Sequence, residues 1–137
     1  MKDFRDLTVW QRAHEVTLEV YRCTRSFPRE ETYGMVSQLR RCSSSVAANI
    51  AECCGRSGNA EFGRFLAIAM GSASELEYFL LLARDLEYLG GKSHEAIAKD
   101  VEEMRRMLNR LILKVQTDGA RGPTRKRLDR FSGDASD

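Results

Sequence analysis

Apolar residues recur along this chain in steps of three and four, the spacing of one helix face, in four separate segments. In the first, Val9, Ala13, Val16, Val20, Cys23 and Phe27 form the stripe, and Arg12, Glu15, Glu19 and Arg22 take the other side. Thr8 with Gln11 three residues on predicts a capping box, and Pro28 predicts an end near Phe27. The second segment runs from about Thr32 to Arg56 on Met35, Leu39, Cys42, Val46, Ile50 and Cys53, and Gly55 and Gly58 close it. The third, from about Ala60 to Leu89, carries Phe62, Leu66, Ala69, Ala73, Leu76, Leu80 and Ala83; Asn59 is its expected cap and Gly90-Gly91 its expected stop. Ser93 is the expected cap of the fourth, where Ile97, Val101, Met104, Leu108, Leu111 and Val115 repeat to about Thr117.

Four amphipathic helices on short connections predict an all-α protein, an antiparallel up-down-up-down four-helix bundle spanning residues 1–118. Residues 119–137 lose the period and read as a flexible polar, basic tail. Two prolines in 137 residues, with 42% hydrophobic and 31% charged, fit a helical domain and argue against a β-sandwich. The longest uninterrupted apolar run, Tyr78 to Ala83, is short for a bilayer, and the first six residues alternate charge. The expectation is a cytoplasmic protein with no membrane partner.

Charge looks informative until it is divided. The formal net charge is +2, but residues 119–137 hold five basic and three acidic side chains, which leaves seventeen of each in residues 1–118. A neutral body is poor ground for non-specific nucleic-acid binding, which runs on phosphate neutralisation. If RNA or another nucleic acid binds, the candidate phosphate contacts are Arg40, Arg41 and Arg56, with Arg125, Lys126 and Arg127 of the tail.

A solvated bundle helix needs a polar face, and two stretches lack a charged one. Cys42 to Ala51 and Phe65 to Ser74 each run ten residues without a charge. They sit at equal distances from Gly58, so a hairpin places them side by side as an uncharged belt. Opposite the core stripe of helix 3 lie Ala60, Gly63, Ala67, Gly71 and Ser74, with Ile68, Met70 and Tyr78 beside them. Small residues let a second backbone approach closely. This predicts a homo-oligomer interface of Ala47, Ala51, Gly63, Ala67, Met70, Gly71, Ser74 and Tyr78, with the chain itself as partner. The alternative is a weakly polar Ala- and Ser-rich surface that covers nothing.

Beside the apolar stripe of helix 2 runs a polar one: Gln38, Arg41, Ser45, Asn49, Glu52 and Arg56. Arg41 and Glu75 stand seventeen residues either side of Gly58, which predicts an ion pair with Asn49 hydrogen-bonded nearby. One reading is a ligand or RNA groove lined by Arg41, Asn49 and Arg56. The other is a structural network of Gln38, Arg41, Asn49, Glu52, Ser72 and Glu75 that fixes helix register.

Enzyme patterns do not assemble. Neither His14 nor His94 has the Glu three residues before it that a di-iron bundle requires. Gly91-Lys92-Ser93 lacks the earlier glycine of a phosphate loop, since Leu86 stands there. Cys23, Cys42, Cys53 and Cys54 have no zinc-site spacing and read as reduced thiols, three of them on apolar stripes. No catalytic residue, cofactor or metal is expected.

A set of motifs occurs in order: Phe4-x-x-Leu7-x-Val9-Trp10-Gln11-x-Ala13, Val20-Tyr21, Phe27-Pro28, Gln38-x-x-Arg41, Asn49-Ile50-Ala51-Glu52 and Gly71-Ser72-x-x-Glu75-Leu76. Together, over residues 4–90, they resemble the four-helix-bundle family named for genes inside intervening sequences of bacterial 23S ribosomal RNA. Cys53 stands where that family has a glycine after Asn-Ile-Ala-Glu, and Met70 where it has the arginine of Ala-Arg-Gly-Ser. The resemblance implies a closed ring of bundles, a pentamer. It extends to a related branch, the accessory protein of diversity-generating retroelements, which is strongly basic and binds nucleic acid and a reverse transcriptase; the neutral body here departs from that pattern. The expected function is a non-catalytic homo-oligomeric scaffold or accessory protein associated with nucleic acid, or alternatively a protein–protein interaction module with no nucleic-acid role.

Overall fold

The computed structural model describes residues 3–55 and 58–121. Four helices make up the bundle: α1 (Thr8–Cys23), α2 (Met35–Cys54), α3 (Asn59–Asp85) and α4 (Gly91–Arg121). Short 3-10 turns at Phe4–Asp6, Thr24–Ser26 and Arg29–Glu31 lead into α1 and join it to α2. No strand occurs among the described residues. The expected all-α, antiparallel four-helix bundle is the fold. α1 and α3 each pack between α2 and α4, so they occupy diagonal corners.

The period-3.6 stripes form the core because their side chains meet on the bundle axis and leave water together. Leu39, Cys42, Val46 and Ile50 of α2, Leu66, Ala69, Ala73 and Leu76 of α3, and Val101, Met104 and Leu108 of α4 are fully buried. The α4 stripe outlasts its partners. Leu111 and Val115 are only half-buried, because α4 has 31 residues and α1 has 16, about 46 Å against about 24 Å at 1.5 Å per residue.

Arginines tie neighbouring helices laterally. Arg12 of α1 reaches Glu103 (2.9 Å) and Asp100 (3.5 Å) of α4. Arg105 of α4 holds Glu77 of α3 at 2.9 Å, and Arg41 of α2 holds Glu75 of α3 at 2.8 Å. Arg40 of α2 donates through Nε to Thr24 Oγ1 (3.0 Å) and through Nη2 to the Tyr21 carbonyl (3.3 Å) at the end of α1.

Helix ends depart from the periodic reading. The Thr8–Gln11 capping box does not form: Leu7 is the N-cap, and Gln11 Nε2 donates instead to the Arg5 carbonyl at 2.9 Å. α1 stops at Cys23, where Thr24 turns its hydroxyl onto the Val20 carbonyl (2.7 Å) and starts a 3-10 turn. α2 starts at Met35 rather than Thr32, since Glu31 Oε1 accepts the Met35 N–H at 3.0 Å and caps it from outside. A Cβ at Gly34 would lie 2.8 Å from that oxygen, so glycine permits the cap. α3 starts at Asn59 itself, preceded by Gly58 at φ +103°. It ends at Asp85 rather than Leu89, because Glu87 adopts a left-handed φ of 67° and turns Leu89 into the core. α4 starts at Gly91, which places Ser93 inside the helix, and runs to Arg121, past the expected end near Thr117.

α3 differs from its neighbours in composition. By length and composition Ala60–Asp85 could cross a membrane, although less than half of its most apolar stretch is buried within the chain. Its Ala, Gly and Ser residues interrupt an apolar run without adding charge, so a search for uninterrupted runs passes over it.

Candidate interaction surface

The outer face of α3 is built by the same periodicity that builds the core. Ala67, Gly71, Ser74, Tyr78 and Leu81 step by four and three on the side opposite Leu66, Ala73 and Leu80, and all five are exposed. Ile68, Tyr78 and Leu81 are large apolar side chains left 43%, 56% and 39% exposed. Of the predicted interface residues, Ala67, Gly71, Ser74 and Tyr78 lie fully on this face, and Ala47, Ala51, Gly63 and Met70 are half-buried. A Cβ added at Gly63 or Gly71 would meet nothing within 4 Å. Mid-helix glycine costs roughly 0.5–1 kcal/mol against alanine, and the packing of the isolated chain gives no reason for either one.

Towards α4 this face falls into a groove of about 450 Å³ lined by Ser74, Glu77, Tyr78, Leu81, His94 and Ala98 among others. Towards α2 it meets the polar ladder. Arg41 Nη2 donates to Glu75 Oε2 at 2.8 Å and to Gln38 Oε1 at 2.9 Å. The two Oγ atoms of Ser45 and Ser72 are 2.8 Å apart, and Asn49 Nδ2 donates to the Ser45 carbonyl (2.8 Å) and Oγ (3.1 Å). Ser72 is buried, so this bond satisfies a group that would otherwise be stranded. The ion pair expected from equal distances to Gly58 is present. The Ser45–Ser72 bridge was not anticipated, although both residues stand on the predicted ladder. Glu52 is exposed at its far end and is also partnered.

The candidate phosphate contacts are not gathered into one patch. The Arg40 guanidinium stacks 4.6 Å over the Tyr21 ring while donating to Thr24 and Tyr21. Arg41 is held by Glu75 and Gln38. Arg56, Arg125, Lys126 and Arg127, like the tail from residue 122, lie outside the described residues.

Chemistry at the thiols is suppressed. Burial pushes Cys42 up to about 11, with Glu75 adding to the effect, and burial followed by the neighbouring Cys54 takes Cys53 up to about 11. Burial likewise raises Cys23 and Cys54. A protonated thiol is a poor nucleophile near neutrality. His14 lies exposed against the Trp10 ring, the two stacked at 5.0 Å, and His94 lines the α3–α4 groove. Among the described residues no group of three or more His, Cys, Asp or Glu side chains could hold a metal ion.

The described fold and motifs meet a family model, the 23S rRNA-intervening sequence protein, over residues 5–110. The chain belongs to that family. The match runs past the motifs quoted above, which stop within α3, and reaches the last buried turn of α4. Among solved structures, the chain is similar to a protein with unknown function from the S23 ribosomal protein family of Bacteroides thetaiotaomicron, at 28% identity and a TM-score of 0.70. The similarity covers 77% of this chain and 98% of that one. No curated protein matches the sequence. This member of the 23S rRNA-intervening sequence family shares its bundle with the Bacteroides protein.

Proposed function

We propose that this chain is a non-catalytic, cytoplasmic helical-bundle scaffold that works as a homo-oligomer, joined through the outer face of α3 and the adjoining side of α2. The family resemblance makes a closed ring of five copies the favoured size. The observation that carries the reading is the pairing of exposed Ile68, Tyr78 and Leu81 with glycines at 63 and 71 that the chain's own packing does not require. Large uncovered apolar groups around a flat small-residue strip are what a close helix contact between subunits uses.

Nucleic-acid association is the weaker part of the reading. Phosphate binding would have to draw Arg40 from Thr24 and Tyr21 and Arg41 from Glu75, so a protein partner fits this surface better. Absence of RNA retention in a low-salt filter-binding titration is the expected result; retention that falls steeply with salt would restore that role. Multi-angle light scattering tests the central claim. The purified chain is expected at several times its 15.6 kDa mass, and Gly71→Glu is expected to shift it to smaller species with helicity unchanged. A parent that runs as a single chain, or a variant that keeps the parent's mass, overturns the proposal.

A further inference from the structure

Four antiparallel helices alternate in direction, so the α1–α2 and α3–α4 connections share one end of the bundle. The residues leading into α2, Arg29 to Gly34, are bonded mainly among themselves. The Glu31 N–H donates to the Pro28 carbonyl at 2.9 Å, and the Gly34 N–H to the Glu31 carbonyl at 3.1 Å. Thr32 donates to the Arg29 carbonyl twice, through its N–H (3.1 Å) and its hydroxyl (2.7 Å). The α3–α4 connection is just as local: the Tyr88 and Leu89 N–H groups both donate to the Ala83 carbonyl, at 2.9 and 3.3 Å.

One carboxylate spans the two connections. Glu31 Oε1 accepts the Met35 N–H at 3.0 Å, and Oε2 accepts the Tyr88 hydroxyl at 3.0 Å. Gly34, the N-cap of α2, has no side chain to take over the first bond. The Tyr88 ring also lies 5.6 Å from that of the buried Phe27. Hydrogen bonds to a carboxylate are roughly twice as strong as neutral ones, and here each holds the carboxylate in place for the other. Between Glu31 and Gly34 the chain carries Tyr33, which at 95% exposure is the most exposed large apolar side chain among the described residues.

We infer that Glu31 is a latch on this end of the bundle: the α1–α2 and α3–α4 connections open together through it, and Tyr33 keeps a fixed position while it is closed. Loss of the Tyr88 bond frees the Glu31 side chain to rotate away from Met35, and loss of the cap frees it to leave Tyr88. Gly34 belongs to the same device. A Cβ there would lie 2.8 Å from Oε1, the far end of a flexible side chain, and would push the carboxylate off its partners. Glu31, Gly34 and Tyr88 therefore act on one contact, although 57 residues separate Glu31 from Tyr88.

Amide hydrogen exchange on the full chain, followed residue by residue, tests the latch. Tyr88→Phe removes the hydroxyl and keeps a ring against Phe27. It is expected to speed exchange at the Gly34 and Met35 amides by roughly tenfold, the worth of one hydrogen bond to a charged group. Glu31→Ala is expected to speed the Leu89 amide by a similar factor. Gly34→Ala, which leaves both latch residues in the chain, is expected to act in the same direction at Met35 and Leu89. The Gly55 and Phe62 amides, bonded at the opposite end of the bundle, are expected to keep the parent's rates. If Tyr88→Phe leaves Gly34 and Met35 at the parent's rates, or Glu31→Ala leaves Leu89 there, the two connections open independently and the latch is wrong. An equal rise at Gly55 and Phe62 would also overturn it, because the loss would then be spread through the whole bundle.

Discussion

α3 and α4 lie side by side, each bury an apolar stripe in the same core, and turn opposite kinds of surface to water. Behind Ile97, Val101, Met104 and Leu108, α4 shows Glu95, Lys99, Glu102, Arg106 and Arg110, with Arg106 bonded to Glu102 at 3.0 Å. Behind Leu66, Ala73, Leu76 and Leu80, α3 shows Ala67, Gly71, Ser74, Tyr78 and Leu81. Since both helices bury an apolar stripe in the same core, core packing does not explain the difference between the outer faces. The back of α4 meets the solubility demand on a bundle helix. The back of α3 violates it, and a violation that costs the isolated fold nothing in packing points to a demand from outside the chain.

The shared core of the two inner faces can be broken first, and with the largest effect. Leu76→Ala in α3 and Met104→Ala in α4 each empty a fully buried site and are expected to cost on the order of 2–5 kcal/mol in urea denaturation. A loss under about 1 kcal/mol for one and not the other would show that the two stripes do not share a core.

Alkaline pH sharpens the comparison from the α2 side, because the buried thiols pack toward α3 and α4 carries no cysteine. Cys42 and Cys53 are raised to about 11 from an ordinary value of 9.0. Their protonated forms are therefore favoured in the folded state, so the associated stability is fully present below about pH 9. It is lost as pH climbs through about 11. Tyr88, raised by its hydrogen bond to the Glu31 carboxylate, acts in the same direction. The urea midpoint is expected to hold flat to about pH 9 and then fall, and Cys42→Ala should flatten part of that fall. A midpoint that rises over this range would contradict the burial of both thiols.

The parts of the molecule that were readable from sequence are those that repeat. Core membership follows from apolar period, and Leu39, Ile50, Leu76 and Met104 are buried because their neighbours three and four residues away are apolar too. Arg41 and Glu75 were readable because an antiparallel hairpin converts equal distance from Gly58 into equal height. Helix ends were not, because capping depends on single contacts that no period encodes. Glu31 caps α2 and receives the Tyr88 hydroxyl at 3.0 Å from 57 residues away, and Gln11 leaves its expected cap for the Arg5 carbonyl. The candidate surface was half readable. Absence of charge marked where it lies, whereas the exposed Leu18 and Tyr21 of α1 stand among ordinary charged neighbours that no charge-free stretch singles out.

Gly71→Ala separates the chain's needs from the assembly's. Space around the missing Cβ is open, so alanine is expected to stabilise the single chain by roughly 0.5–1 kcal/mol through helix propensity alone. The same methyl stands where a second backbone would pack, so light scattering should show weaker association at a given concentration. Stability and assembly moving in opposite directions is an outcome a solitary bundle cannot produce.

The smallest effect belongs to the back of α4 and serves as the control for all of these. Arg106→Ala removes an exposed i, i+4 pair with Glu102, worth about 0.3–0.5 kcal/mol and weakened by salt. No large apolar group beside Arg106 on that face needs cover before Leu113 near the helix end, so assembly mass should not change. If Arg106→Ala dissociated the oligomer as Gly71→Glu is expected to, the charged back of α4 would also be a subunit contact. The contrast between the two outer faces would then lose its meaning, since charge and its absence would be marking the same kind of surface.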